Sequence, residues 1–318
     1  MRILFFGTPD YVLPIVEALH KEFNSARDLQ FIGVVTQSPK PTGRKQMVER
    51  SAVDNWAFKH KLSVIYDFDD IPDFDLGIVA SYGRIIPQEI IDIPKYGLLN
   101  VHPSKLPAFR GASPVQAQIA LGETAIAVSI IKMDKYMDHG PIVSAFPYTL
   151  MGHETTEELR KELFALSAPF IMDLLPHYIA HKIKLKPQNH DEATFTKAVT
   201  KQDGYINPTT FVKALEGTEG GELPLEFAKA SVKANAQSID RLVRALTPWP
   251  GVWTTVRVTP EADIKRLRIL ETNVKDDALV LLRVQLEGKG IVTWKQFTEG
   301  YPQFRFEQND PALQAVDA

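Results

Sequence analysis

The chain has 318 residues, 44% of them hydrophobic, enough apolar material for two ordinary domains with separate cores. A formal net charge of −3 argues against a protein that holds nucleic acid mainly through a large basic field, while leaving room for a local basic patch. The absence of cysteine excludes disulfides, thiolate metal sites and cysteine nucleophiles, and a reducing, cytoplasmic setting is expected.

The opening MRILFFGTPD contains an apolar run that stops at Gly7, too short for a secretory leader or a membrane span. No later stretch reaches bilayer length without a charge or a proline, so no membrane association is expected. The first half then alternates strand-like and helical segments, the pattern of an α/β, Rossmann-like, mostly parallel sheet with helices on both faces. Strands are predicted at Ile3–Phe6, Phe31–Thr36, Leu62–Tyr66, Leu76–Ser81 and Leu98–His102, with helices at Tyr11–Phe23 and Ala52–Lys61. A helix from Ser113 to Leu121 is punctuated by a serine cap, Pro114 in the first turn and Gly122 past the end. Ala125–Met133 and Pro141–Leu150 read as strands, joined by a loop from Asp134 to Gly140. Thr155 and Glu158 form a capping-box signature that opens a long helical region to about Lys182, expected to break near Pro169. From Lys184 to about Pro208 the pattern is polar and irregular, as in a linker. A helix near Ser238–Leu246 follows, then β-rich runs at Val252–Val258, Leu267–Glu271, Leu279–Gln285 and Gly290–Thr293, spaced as in a small barrel or sandwich.

Asn100 and His102 lie two apart on a predicted strand, so their side chains leave one face of the sheet, and Pro103 stops the strand behind them. In open α/β sheets the carboxyl end of a strand is the usual place for a reacting group. An Asn-x-His pair alone is more often structural or merely exposed, and Asp138 alone is more often a solvated turn carboxylate. The surrounding sequence is more specific. The run GLLNVHPSKLPAFRGASPVQ (Gly97–Gln116) and the loop DKYMDHG (Asp134–Gly140) together resemble the signature of the formyltransferases that use 10-formyltetrahydrofolate.

That resemblance implies catalytic positions at Asn100, His102 and Asp138, and a folate-touching loop of Ser104, Lys105, Leu106 and Pro107. It also implies that VASYGRIIP (Val79–Pro87) lines the pterin pocket through Arg84, Ile85 and Ile86, although a buried strand and helix start satisfy the same residues. The opening FFGTPDY is similar to the family's first strand and turn, and is not a dinucleotide fingerprint. RGASPVQ (Arg110–Gln116) is close to the run typical of the branch that formylates initiator methionyl-tRNA. TQSPKPTGRKQ (Thr36–Gln46) is similar to the loop that enters the tRNA acceptor stem there, which makes Lys40 and Arg44 RNA-contact candidates. RALTPWPGVW (Arg244–Trp253) is similar to the start of the family's second, OB-like, tRNA-holding domain. Charge in that half is nearly balanced, so the resemblance alone carries the RNA expectation.

The expected organisation is therefore a catalytic domain over 1–184, a linker over 185–208 and an OB-like β-barrel domain over 209–318. The expected partners are folate as 10-formyltetrahydrofolate and initiator methionyl-tRNA, with no metal, in a cytoplasmic monomer. Three departures from the family pattern stand out: Tyr136 where a glycine belongs, His139 where a threonine belongs, and Lys105 where a leucine is more usual. Loss of the glycine raises the question of how the backbone presents Asp138. Two other activities remain open at this level: formylation of a nucleotide-linked amino sugar, and non-catalytic tRNA binding.

Overall fold

The computed structural model describes residues 1–24, 29–42 and 47–307. The chain divides into two compact units, one made of Met1–Arg110, Ala125–Tyr148 and Leu159–Thr194, the other of Gly111–Thr124, Thr149–Glu158 and the chain from Phe195 onward.

The first half runs β1 (Arg2–Gly7), α1 (Leu13–Phe23), β2 (Gln30–Val35), a small hairpin β3 (Lys40–Thr42) and β4 (Met47–Glu49), then α2 (Ala52–Lys59), β5 (Ser63–Ile65), β6 (Leu76–Ala80) and α3 (Gln88–Ile91). It continues through β7 (Leu98–His102), β8 (Arg110–Gly111), α4 (Pro114–Leu121), β9 (Ala125–Lys132), β10 (Ile142–Thr149) and α5 (Thr156–Ile179). Seven of these strands form one sheet in the order β10-β9-β7-β6-β1-β2-β5. From β5 to β7 every pair is parallel, and β9 is antiparallel to β7. The Rossmann-like, mostly parallel sheet expected from the alternating pattern is present. Its central strands are buried on both faces: all five residues of β6 and five of six in β1 are buried, which is why they read as continuous apolar runs.

Three local expectations have instructive outcomes. Gly122 ends α4 in the left-handed region at φ 77°, as its position suggested, but Ser113 sits at the N-cap without a side-chain capping bond. Helix α5 runs unbroken through Pro169 and Pro176, against the expected break. Proline removes one intrahelical bond and crowds the preceding turn, yet burial of Leu163, Phe164, Ile171 and Leu175 on the same helix keeps it continuous, with Phe164 packed on the Tyr11 ring. The capping box forms as read: the Glu158 carboxylate accepts from the Thr155 N–H and hydroxyl at 2.9 and 2.7 Å.

Just before that helix, the buried Glu154 carboxylate accepts from the backbone N–H groups of Met151, Gly152 and His153 at 2.6, 2.8 and 3.0 Å. Burial pushes its pKa up, but the N–H groups of Met151, of its own residue, of Gly152 and of His153 outweigh that and hold it below the ordinary carboxylate value. A carboxylate depressed in the folded state contributes stability above its unfolded value, and that contribution is lost as pH falls through the folded one. Glu154→Gln should therefore cost about 1.5–3 kcal/mol at pH 7. Thermal unfolding at pH 7 and in strong acid tests this, because the gap to the parent protein must narrow on acidification.

The second unit adds β11 (Phe195–Thr196), α6 (Pro208–Leu215), β12 (Glu222–Leu225), β13 (Ala230–Lys233), α7 (Ala236–Ala245), β14 (Val252–Arg257), β15 (Ile264–Lys275), β16 (Ala278–Leu286), β17 (Ile291–Thr293), α8 (Trp294–Gly300) and β18 (Arg305–Phe306). The expected β-rich second domain appears as a separate five-stranded antiparallel sheet in the order β17-β16-β15-β14-β18. β15 and β16 extend beyond the predicted strands and meet in a two-residue turn whose Asp276 and Asp277 take φ of 51° and 60°. Both turn residues at positive φ is the type I′ geometry that matches strand twist, and aspartate tolerates it. The amphipathic α7 buries Ile239, Leu242 and Val243, with Asn235 and Ser238 closing a capping box. Helices α6 and α8 were not predicted, although Asn207 before Pro208 and the Thr293/Gln296 pair are capping signals.

Candidate active site

The site is built on the carboxyl end of β7. Asn100 pairs with Val79 of β6 on one side and Ile131 of β9 on the other, and His102 pairs with Ser129. This central position fixes both backbones, and the two-residue period puts both side chains on one face. The chain then turns into a loop whose shape is set by its own hydrogen bonds. Ser104 donates its hydroxyl to the Ala108 carbonyl at 2.6 Å, Ser129 donates to the Ser104 carbonyl at 2.7 Å, and the Leu106 N–H donates to Ser129 Oγ at 3.3 Å.

That loop returns the Phe109 carbonyl to within 3.0 Å of His102 Nε2. A carbonyl can only accept, so Nε2 carries the hydrogen and Nδ1 is the nitrogen turned toward Asp138, whose Oδ1 lies 3.5 Å away. Asn100 Nδ2 donates to the same Asp138 Oδ1 at 3.1 Å. The amide, the imidazole and the carboxylate singled out in the sequence therefore meet at one oxygen. The imidazole is buried at 5% side-chain exposure and the carboxylate nearly so at 12%, which strengthens each charge–dipole contact relative to water. The 3.5 Å separation between His102 Nδ1 and Asp138 Oδ1 is that of an ion-pair contact, longer than a hydrogen bond.

Asp138 reaches this position through the Asp134–Gly140 loop. Its own φ is 50°, while Tyr136 is absent from the non-glycine residues at positive φ. The glycine missing at Tyr136 thus stood at no position that now needs left-handed backbone, and Tyr136 instead donates its N–H to Asp134 Oδ1 at 3.0 Å. Gly140 is required on steric grounds, since a Cβ there would collide with the Lys132 carbonyl. His139 bonds Asp134 Oδ2 through Nδ1 at 2.6 Å and stacks on His190, with ring centroids 3.8 Å apart and planes within 4°.

The other expected residues are placed differently from one another. In the loop after β7, Ser104 and Leu106 are buried, Pro107 is half-buried and Lys105 is exposed. In the segment after β6, Ile86 is buried in a cluster with Tyr82, Phe6 and Val79, Ile85 is 83% exposed, and Arg84 lies over the Phe68 ring at 4.8 Å while donating to the Tyr66 carbonyl. Because β6 and β7 are parallel neighbours, both segments leave the same edge of the sheet as Asn100 and His102. Lys40 is exposed and donates to Gln37 Oε1 at 2.8 Å, and Gln37 in turn donates to the Tyr82 carbonyl at 3.1 Å. Arg44 lies outside the described residues.

Sequence reading missed Gln188, which donates to the Asp138 and Gly140 carbonyls, and the buried Arg110 that holds it. Arg110 lies within the run that carried the resemblance but was given no role there, while Gln188 belongs to a stretch that read as a linker.

Among the described residues no helix is long and apolar enough to cross a membrane. Comparison with known proteins adds two family matches: residues 1–172, just over half the chain, match the model described as formyl transferase, and residues 226–279 match the formyl transferase C-terminal domain. A methionyl-tRNA formyltransferase of Chloroflexus aggregans is 35% identical over 264 residues, spanning 80% of this chain and 76% of that protein. In fold, the chain resembles a methionyl-tRNA formyltransferase from Clostridium thermocellum, with TM-score 0.54 and 18% identity over 90% of this chain and 98% of that one. It also resembles an N-formyltransferase from Helicobacter canadensis solved with folinic acid and dTDP-3-aminofucose, with TM-score 0.59 and 13% identity over 86% and 88% of the two chains. With Asn100, His102 and Asp138 all inside the larger matched segment, the chain belongs to the formyl transferase family.

Proposed function

We infer that this protein transfers a formyl group from 10-formyltetrahydrofolate to the amino group of methionine on initiator methionyl-tRNA. The observation that carries the reading is the convergence of Asn100, His102 and Asp138 on one carboxylate oxygen at the edge of the sheet. Support for the acceptor comes from relatives named methionyl-tRNA formyltransferase at 28–35% identity. Likeness to sugar formyltransferases is at the level of fold alone.

The residues after β6 and β7 suit a folate. Exposed Ile85 offers apolar surface to a flat ring. Arg84, Ile85, Ile86, Ser104, Lys105, Leu106 and Pro107 would hold the donor, which supplies the formyl carbon. Since Ser104 and Leu106 are buried, their contribution is the path of the loop backbone.

Attack by an amine places negative charge on the formyl oxygen and requires the nitrogen to lose a proton. Asn100 has two amide hydrogens, one directed at Asp138, and the other is the donor for the developing oxyanion. His102, with Nε2 tied to Phe109, works through Nδ1, taking the amine proton or, once protonated, facing the same oxygen. Asp138 Oδ1, 3.5 Å from Nδ1, is placed to accept the hydrogen that Nδ1 carries once it has taken the proton. No covalent enzyme intermediate is needed: collapse of the tetrahedral species would break the bond between the formyl carbon and the folate nitrogen, which would leave as tetrahydrofolate and take up one proton.

The same reading assigns 1–184 to catalysis, 185–208 to the connection and 209–318, with Lys40 and Arg44 of the first half, to tRNA, in a cytoplasmic monomer. Purified protein with 10-formyltetrahydrofolate should formylate charged initiator tRNA and leave charged elongator tRNA and nucleotide-linked amino sugars unmodified. Turnover with the amino sugar and none with tRNA would replace the acceptor assignment, and tRNA binding without transfer would remove the enzymatic one.

A further inference from the structure

The carboxylate at the centre of the site sits on a residue whose own backbone is in an uncommon conformation, Asp138 at φ 50°. Such a conformation persists when its surroundings over-determine it. The determinant is visible. Gln188 Nε2 donates one hydrogen to the Asp138 carbonyl at 2.9 Å and the other to the Gly140 carbonyl at 2.7 Å, so one side-chain amide grips the loop on both sides of His139. Its Oε1 accepts from Arg110 Nη2 at 2.6 Å and from Nε at 3.2 Å, a fork that fixes which way the amide faces. Gln188 and Arg110 are both buried, although Gln188 lies in a stretch that reads from sequence as a linker and falls between the two family-matched segments.

The chain of contacts closes on the loop a second time. Arg110 Nη2 also donates to His190 Nδ1 at 2.9 Å, and the His190 ring stacks on His139, whose Nδ1 bonds Asp134 at the loop's start. Partial desolvation, the neighbouring His139 and the Arg110 charge all keep the His190 pKa below its ordinary value, in keeping with a neutral ring that accepts from arginine. The histidine that replaces the family threonine at 139 is thus met by a second histidine at 190.

We propose that Gln188, held by Arg110, is a positioning residue for formyl transfer that sets the placement of the Asp138 carboxylate against Asn100 and His102. This rests on the assignment of Asp138 to the reaction. Gln188 is too occupied with backbone carbonyls and Arg110 to take part itself, so its influence passes through the loop.

Gln188→Glu keeps the acceptor for Arg110 and removes both donors to the loop. It should lower kcat about tenfold to a hundredfold, the range expected when a reacting group is displaced by a fraction of an ångström to 1 Å, with KM for donor and tRNA within about twofold. In single-turnover measurements its loss should largely vanish in an Asp138→Asn background, because there is no longer a carboxylate to position. His190→Phe, at an exposed position, keeps a ring against His139 and removes the Arg110 acceptor. It should lower kcat about threefold to tenfold, the rate equivalent of one hydrogen bond, again with KM unchanged. Should Gln188→Glu fail to accumulate as folded protein, His190→Phe and its combination with Asp138→Asn decide the matter. Unchanged kcat, a loss confined to KM, or full multiplication of the losses in the double variant overturns the proposal. If Asp138→Asn alone turns over like the parent protein, the assignment of the site fails instead, so the two failures are distinguishable.

Discussion

Asp138→Asn is expected to lower kcat by about 10²–10⁴, the range of general acid–base assistance, with little change in KM for either substrate. The substitution preserves shape. Its amide oxygen still accepts from Asn100, but the charge that faces His102 Nδ1 across 3.5 Å is gone. His102 Nδ1 then loses the carboxylate placed to accept the hydrogen it gains, while Nε2 remains tied to Phe109. His102→Ala should lose a comparable factor, and the two losses should not multiply, because each removes one half of a single unit. Steady-state rates with charged initiator tRNA provide the measurement. Parent-like turnover in both variants would show that the proton moves elsewhere.

Asn100→Ala should lower kcat by about 10²–10³, the effect of removing one well-placed oxyanion donor. Part of that loss is indirect, since Asn100 also holds Asp138 Oδ1 at 3.1 Å. Asn100→Asp separates the contributions. It retains size but sets a second carboxylate beside Asp138, replacing an attraction with a repulsion, and should fall below the alanine variant. If Asn100→Asp works as well as the parent protein, an amide donor at this position has no part in the chemistry.

The pair on β7 was legible because strand periodicity is a local property. Asn100 and His102, two apart and followed by Pro103, share a face in any extended conformation, and the surrounding apolar runs announce a buried parallel sheet. Asp138 was reached through resemblance alone. Nothing local to Asp134–Gly140 states that its carboxylate returns to β7, 38 residues earlier. The unbroken α5 and the uncapped Ser113 show the opposite case, in which local signals at Pro169 and Ser113 were outweighed or left unused by packing.

By itself the sequence determined the alternating α/β layout of the first half, the face shared by Asn100 and His102, and the exclusion of thiol chemistry, because period, punctuation and residue type act over a few bonds. Only the tertiary structure decided that Phe109 fixes the His102 tautomer, that Asp138 rather than residue 136 takes the left-handed backbone, and that Gln188, 50 residues downstream, grips the loop. Those are contacts between segments brought together by the closing of the sheet and the return of the chain after α5. A side chain's partner across such a distance is set by packing and by the satisfaction of buried polar groups, and neither leaves a mark in local spacing.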